Sequence, residues 1–168
     1  MAEEFERIVR DYQDRIFRLA WSMMGSRAAA EEAAQEALVR IWKGLPRFRG
    51  ESSLSTWIYS ITRNTCLTAL ARGGIPADSL EDPAVRRAAE RSARARSSVE
   101  ASRDAAELLS RLPVKYRQVV ALFYMQEKSY EEVAEMLGLP MGTVKTYLFR
   151  ARKMLAEEVA RERVKGGA

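Results

Sequence analysis

Phe5, Ile8, Val9, Tyr12, Ile16, Leu19 and Met23 recur at helical spacing, with charged residues between them. The pattern predicts an amphipathic helix that stops at Gly25, with Ser26 placed to cap the next one. Ala30, Ala34, Ala37, Leu38, Ile41 and Trp42 form a second stripe. Its opposite face is Glu31, Glu32, Gln35 and Glu36, and Gly44 and Pro46 end it. "PRFRGESSLS" has the composition of a loop. A third helix is predicted from about Leu54 to Arg72, with Ile58, Ile61, Thr65 and Ala69 on one side. Cys66 lies beside that stripe as a small packing residue.

Gly73, Gly74 and Pro76 close this block. From there to about Ala101 the large apolar residues thin to Ile75, Leu80, Val85 and Val99, and Ala, Arg and Ser dominate. Such a stretch cannot build a core, so residues 75–101 read as a flexible linker between block 1–74 and block 102–168. The second block is expected to hold helices over 103–111, 114–126, 129–138 and 141–159. No strand pattern competes, so the fold class is all-α: two small helical domains and a linker.

The end of the chain reads as a helix-turn-helix. Ser129 and Glu132 have capping-box spacing. Gly138 follows the apolar positions Val133, Met136 and Leu137, where a left-handed C-cap favours a residue without Cβ. Pro140 then blocks continuation and a new helix begins. On it Val144, Leu148, Ala151 and Leu155 fall in one narrow stripe, the expected buried side. Lys145, Thr146, Phe149, Arg150 and Lys153 project opposite, and residues 139–154 contain no acid. Solvated charge is the common fate of such a face. The turn changes the weighing: a short capped helix, a Gly-Leu-Pro turn and a basic helix suit a DNA major groove.

Composition narrows the chemistry. The 168 residues carry a net charge of +5, mild basicity that suits a polyanionic partner. Histidine is absent and Cys66 is the only cysteine. That disfavours the common general base, zinc sites and any internal disulfide, so no metal, cofactor or enzymatic activity is expected. The charged first residues do not resemble a signal peptide and no run is apolar enough to span a bilayer, so a cytoplasmic protein without membrane insertion is expected.

"LPVKYRQVVALFYMQEKSYEEVAEMLGLPMGTVKTYLFRARKML" closely resembles the promoter −35 reading domain of bacterial sigma factors, in particular the extracytoplasmic-function (ECF) group. "AAAEEAAQEALVRIWK" resembles that family's core-polymerase-binding helix, and "FRGESSLSTWIYSITRNTCLTALAR" its −10 melting segment. The blocks stand in the family's order over roughly residues 8–72 and 104–156. Two departures stand out. Ala29 occupies the place of an aspartate that usually opens the polymerase-binding helix, and Thr68 replaces a common aspartate.

The resemblance implies an alternative sigma factor, a dissociable subunit that brings core RNA polymerase to a promoter and helps open it. Glu31, Glu32, Gln35, Glu36 and Arg40 would meet the clamp of the largest polymerase subunit, and the flap is a further implied contact. Phe48, Arg49, Gly50, Ser52 and Ser53 of the loop, with Trp57 and Asn64 of the third helix, would hold single-stranded −10 DNA. Thr143, Lys145, Thr146, Phe149, Arg150 and Lys153 would read −35 duplex. An anti-sigma factor is a further implied partner. The competing reading is an autonomous helix-turn-helix regulator, which has no need of an acidic ridge followed by a Trp/Asn-bearing helix.

Overall fold

The computed structural model describes residues 1–74 and 108–167. The 75–101 linker and the start of the helix expected over 103–111 lie outside the described residues. Among the described residues the chain is helical, without strands.

Three helices make the first block: α1 (Ala2–Met24), α2 (Arg27–Gly44) and α3 (Leu54–Arg72). α1 ends because Gly25 turns left-handed at φ 73 and its N–H closes onto Trp21 O at 3.1 Å. Ser26 then caps α2, its side chain accepting from Ala29 N. A cap at Ser26 leaves the missing aspartate at Ala29 without consequence for the helix start. Ile16, Leu19, Met23, Ala37, Ile41, Ile58 and Tyr59 are fully buried where the three helices meet. Cys66 is buried as well, and burial pushes its thiol up to about 12. Trp42 was expected in this core. It lies instead at the rim, 39% exposed, edge-on to Phe5 with ring centroids 4.9 Å apart. The small alanines of α2 seat the helix so closely that they leave no depth for an indole.

The second block is α4 (Val114–Val120), α5 (Tyr130–Leu137) and α6 (Met141–Gly166), preceded by a helical turn at 108–110. The helix expected over 114–126 changes pitch: residues Ala121–Met125 form a π-helical turn. α6 runs beyond the expected end at 159. Arg111 Nη1 reaches the buried Glu158 at 3.3 Å and Glu162 at 2.8 Å, which ties the added turns to the start of the block. The two blocks touch: Arg63 Nε donates to Gln118 Oε1 at 2.7 Å, and Gln126 Nε2 donates to Arg15 O at 3.1 Å.

Candidate nucleic-acid interfaces

The turn between α5 and α6 follows from four residues. Ser129 Oγ accepts from Glu132 N at 3.1 Å while the Glu132 carboxylate accepts from Ser129 N at 2.8 Å, a complete capping box. That backbone hydrogen bond holds the Glu132 carboxyl below its ordinary range. At the other end Gly138 sits at φ 64. Its N–H bonds Glu135 O and the next N–H, of Leu139, bonds Ala134 O, a Schellman closure. Pro140 O then receives Thr143 N and Val144 N, which starts α6 in a fixed direction.

α6 divides cleanly. Val144, Leu148 and Ala151 are buried, and Leu155 is half-buried. Lys145, Thr146, Phe149, Arg150 and Lys153 are exposed as expected, and Thr143 is half-buried at the edge. Phe149 is 68% exposed, an apolar ring among cations rather than in the core. Thr146 turns its hydroxyl back onto Gly142 O at 2.9 Å, so its methyl is the outward group. The Lys145 ammonium lies 5.6 Å from the Tyr130 ring centre. Arg152, a further cation of α6, donates to the Tyr124 hydroxyl and lies over that ring.

A second site forms where α2 ends. The 3-10 turn Leu45–Arg47 redirects the chain, and Phe48 packs on Trp57 with ring centroids 4.9 Å apart. The indole also lies against Gly44, where a Cβ would stand only 3.0 Å from its ring. A cleft of about 620 Å³ opens here, lined by Pro46, Arg47, Phe48, Arg49, Glu51, Ser52 and Trp57. This volume lies in the range of small-molecule clefts, ~300–1,000 Å³. Gly50 turns left-handed at φ 71 with open space around it. Phe48, Arg49, Ser52 and Trp57 are thus brought together. Arg47 joins them unforeseen, although its place beside Phe48, opposite Arg49, is a readable signal.

Ser53, expected among the base-contacting hydroxyls, has a structural duty as well. It caps α3, accepting from Thr56 N at 3.1 Å and donating to Thr56 Oγ1 at 2.9 Å. Asn64 is exposed two turns further along α3, on the ridge that Trp57 begins. Its Oδ1 accepts from Arg63 Nη1 at 3.1 Å.

The acidic ridge of α2 is present but partly neutralised. Glu31, Glu32 and Gln35 are exposed. Arg27 Nε pairs with Glu31 at 2.9 Å, and Arg40 Nη2 pairs with the half-buried Glu36 at 2.5 Å. Among the described residues Glu32 makes no ion pair, so it and Gln35 carry the accessible polar surface. Val39, 50% exposed, adds an apolar neighbour that the sequence reading passed over.

Two family descriptions match the chain: Sigma-70 region 2 over residues 8–74 and Sigma-70 region 4 over residues 102–155. The ECF RNA polymerase sigma factor SigW of Bacillus subtilis is 30% identical over 94% of this chain and 89% of its own. The ECF sigma factor SigM of Mycobacterium tuberculosis is 34% identical over 90% of this chain and 75% of its own. The solved complex of the sigma factor RpoE with the anti-sigma factor NepR from Bartonella quintana matches with a TM-score of 0.73. The identity there is 21%, covering 94% of this chain and 98% of that one. CnrH in complex with the cytosolic domain of CnrY matches at a TM-score of 0.69 and 21% identity, over 96% and 90% of the two chains. At that identity these likenesses show the fold.

Proposed function

The chain belongs to the ECF sigma factors of bacterial RNA polymerase, and from that premise we propose how its surfaces share the work of initiation. It is an alternative sigma factor acting in transcription initiation, a binding subunit and not an enzyme. Block 1–74 serves core-polymerase binding, −10 recognition and melting, block 102–168 serves −35 recognition, and 75–101 joins them. The protein works in the cytoplasm.

The observation that carries this reading is the pairing of two unlike nucleic-acid surfaces in one chain. The α6 face offers Lys145, Phe149, Arg150 and Lys153 without a carboxylate, which fits duplex. The Phe48–Trp57 cleft offers two packed aromatic rings and the two flanking cations Arg47 and Arg49, which fits an unpaired base. A stand-alone regulator uses the first kind of surface and has no use for the second. Glu32 and Gln35, with Glu31, Glu36, Arg40 and Val39 around them, form the surface for the clamp of the largest polymerase subunit, and the second block meets the flap. An anti-sigma factor would act by covering these faces; the similar sigma factor RpoE of Bartonella quintana was solved in complex with the anti-sigma factor NepR.

Strand capture is tested by permanganate footprinting of thymines on linear duplex promoters. Unstacking a base costs a few kcal/mol and stacking on an aromatic returns about 1–3 kcal/mol, so the loop's hydrogen bonds must supply the remainder. Asn64→Ala, and a Gly-Ser replacement confined to residues 49–52 so that the Ser53 cap survives, should each suppress thymine exposure. Both should leave polymerase binding intact, and a template already mismatched at −10 should restore activity. Normal footprints with both variants would refute the assignment.

A further inference from the structure

α6 holds its cations in two ways. In the last turns Arg161 pairs with Glu158 at 3.0 Å, so a carboxylate cancels the charge. Arg152 is held by a neutral group instead. Its Nε donates to the Tyr124 hydroxyl, and its guanidinium carbon lies 5.4 Å from the centre of that ring. A phenol fixes the cation and leaves its charge in place. Arg152 is exposed, and Tyr124 is 47% exposed. Among the described residues the Arg152 Nη groups have no hydrogen-bond partner.

Tyr124 is itself held from behind. The π-turn Ala121–Met125 carries Phe123 and Tyr124 together, their rings edge to face with centroids 4.9 Å apart. Phe123 stacks on Tyr130 of α5, 4.7 Å away and only 7° from parallel. The Lys145 ammonium lies 5.6 Å from the Tyr130 ring centre. Three rings thus run between two cations of α6. Lys145 and Arg152 are seven residues apart, close to two full turns, so they share one ridge. Stacked and edge-to-face rings attract beyond the area they bury, so the ladder resists rotation of Tyr124 away from Arg152.

The position of Arg152 on α6 selects the ligand. At about 100° per residue it falls about 160° from Arg150, on a flank of the exposed side and not at its middle. A helix about 10–12 Å across fills a major groove about 12 Å wide. Its middle then meets base edges, and its flanks meet the sugar–phosphate walls. The Tyr124 oxygen already accepts from Arg152, so its own proton is left to donate, beside the Nη donors of the arginine. A phosphate oxygen accepts from both kinds of donor.

We propose that Tyr124 and Arg152 form a site for one backbone phosphate of duplex DNA on the flank of α6, with Phe123 and Tyr130 as the positioning residues behind it. The site rests on the −35 reading given under the proposed function and adds two contacts outside its base-reading set.

Methylphosphonate scanning of full-length protein–duplex binding tests the site. The probes are duplexes that the wild-type chain enriches from a random-sequence pool, with each backbone phosphate replaced in turn by the uncharged analogue. Wild type should lose affinity at a small set of positions. Tyr124→Phe keeps the ring and removes the hydroxyl. It should bind unmodified duplex about threefold to tenfold more weakly and lose its sensitivity at one of those positions. Arg152→Ala should lose sensitivity at the same position. Phe123→Leu, which keeps apolar bulk and breaks the ladder, should reduce it there. All three should keep the wild-type base preference. A hydroxyl with a merely structural role would weaken binding at every position alike and leave the pattern intact. That result, a Tyr124→Phe variant equal to wild type, or loss at different phosphates in Tyr124→Phe and Arg152→Ala overturns the site. An unchanged Phe123→Leu overturns the ladder as its support. If the pool yields no enriched duplex, or Lys145→Ala and Arg150→Ala bind the enriched duplexes as tightly as wild type, the −35 reading fails and the site falls with it. Enrichment that depends on Lys145 and Arg150, with an unchanged Tyr124→Phe pattern, removes the site alone.

Discussion

Lys145 and Arg150 stand on a helix whose other side is sealed by Val144, Leu148 and Ala151, so truncating them removes contacts to a partner and little else. Lys145→Ala and Arg150→Ala should each weaken −35 duplex binding by about 1–3 kcal/mol in a titration, and relax preference at one base position. Lys153→Ala should weaken all sequences alike and lower the slope of log K against log salt by about 0.9. Equal, sequence-independent losses for all three would remove base reading from this face. Glu132 gives a residue-scale test of stability. Its folded carboxyl is held low, so its contribution is present above the ordinary carboxylate range and is lost as pH falls through the lowered value. Glu132→Ala should cost about 0.5–1 kcal/mol at pH 7, reduced by its exposure, and the variant should lack that share of the acid destabilisation seen in thermal melts. Single residues of α6 and the capping box were legible in the sequence because spacing alone sorts an isolated helix face. Ser53, Trp42 and Arg117 were not. Their roles depend on Thr56, Phe5 and Met23 O, and in the latter two cases the partner lies elsewhere in the chain.

At the scale of elements, the α5–α6 turn was readable to the residue because Gly138 and Pro140 have few alternatives in backbone geometry. Gly138→Ala should cost about 1–2 kcal/mol in denaturant unfolding from the left-handed backbone, since its Cβ position is open and adds no clash. A loss below a few tenths would mean the turn tolerates another conformation. The ends of α1 and α2 were likewise readable from Gly25 and Gly44, whereas the Ser53 cap that starts α3 was not. The π-turn at Ala121–Met125 left no trace in the hydrophobic period, because "ALFYMQ" reads the same at either pitch. What selects it is the set of bonds that Gln126 and Lys128 make to α1 and α3. The extra turns of α6 were missed for a related reason. The Arg111–Glu162 pair spans 51 residues, so neither partner signals the other in sequence.

For the molecule as a whole, the order of the two blocks was legible, while the contact between them was not, since it is built from polar groups that resemble surface until they meet. The ion pairs of α2 decide which residues should be altered to test polymerase docking. Glu36 lies between Arg40 and Arg72, so a lysine there would add repulsion within the fold. Glu32→Lys/Gln35→Lys avoids this and should alter folding stability by no more than about 0.5 kcal/mol. The most direct measurement is transcription from genomic fragments by core polymerase reconstituted with this chain, with 5′ ends mapped. The wild-type protein should yield discrete start sites that core polymerase alone does not make, and Glu32→Lys/Gln35→Lys should abolish them. Start sites indistinguishable from those of core alone would contradict the account.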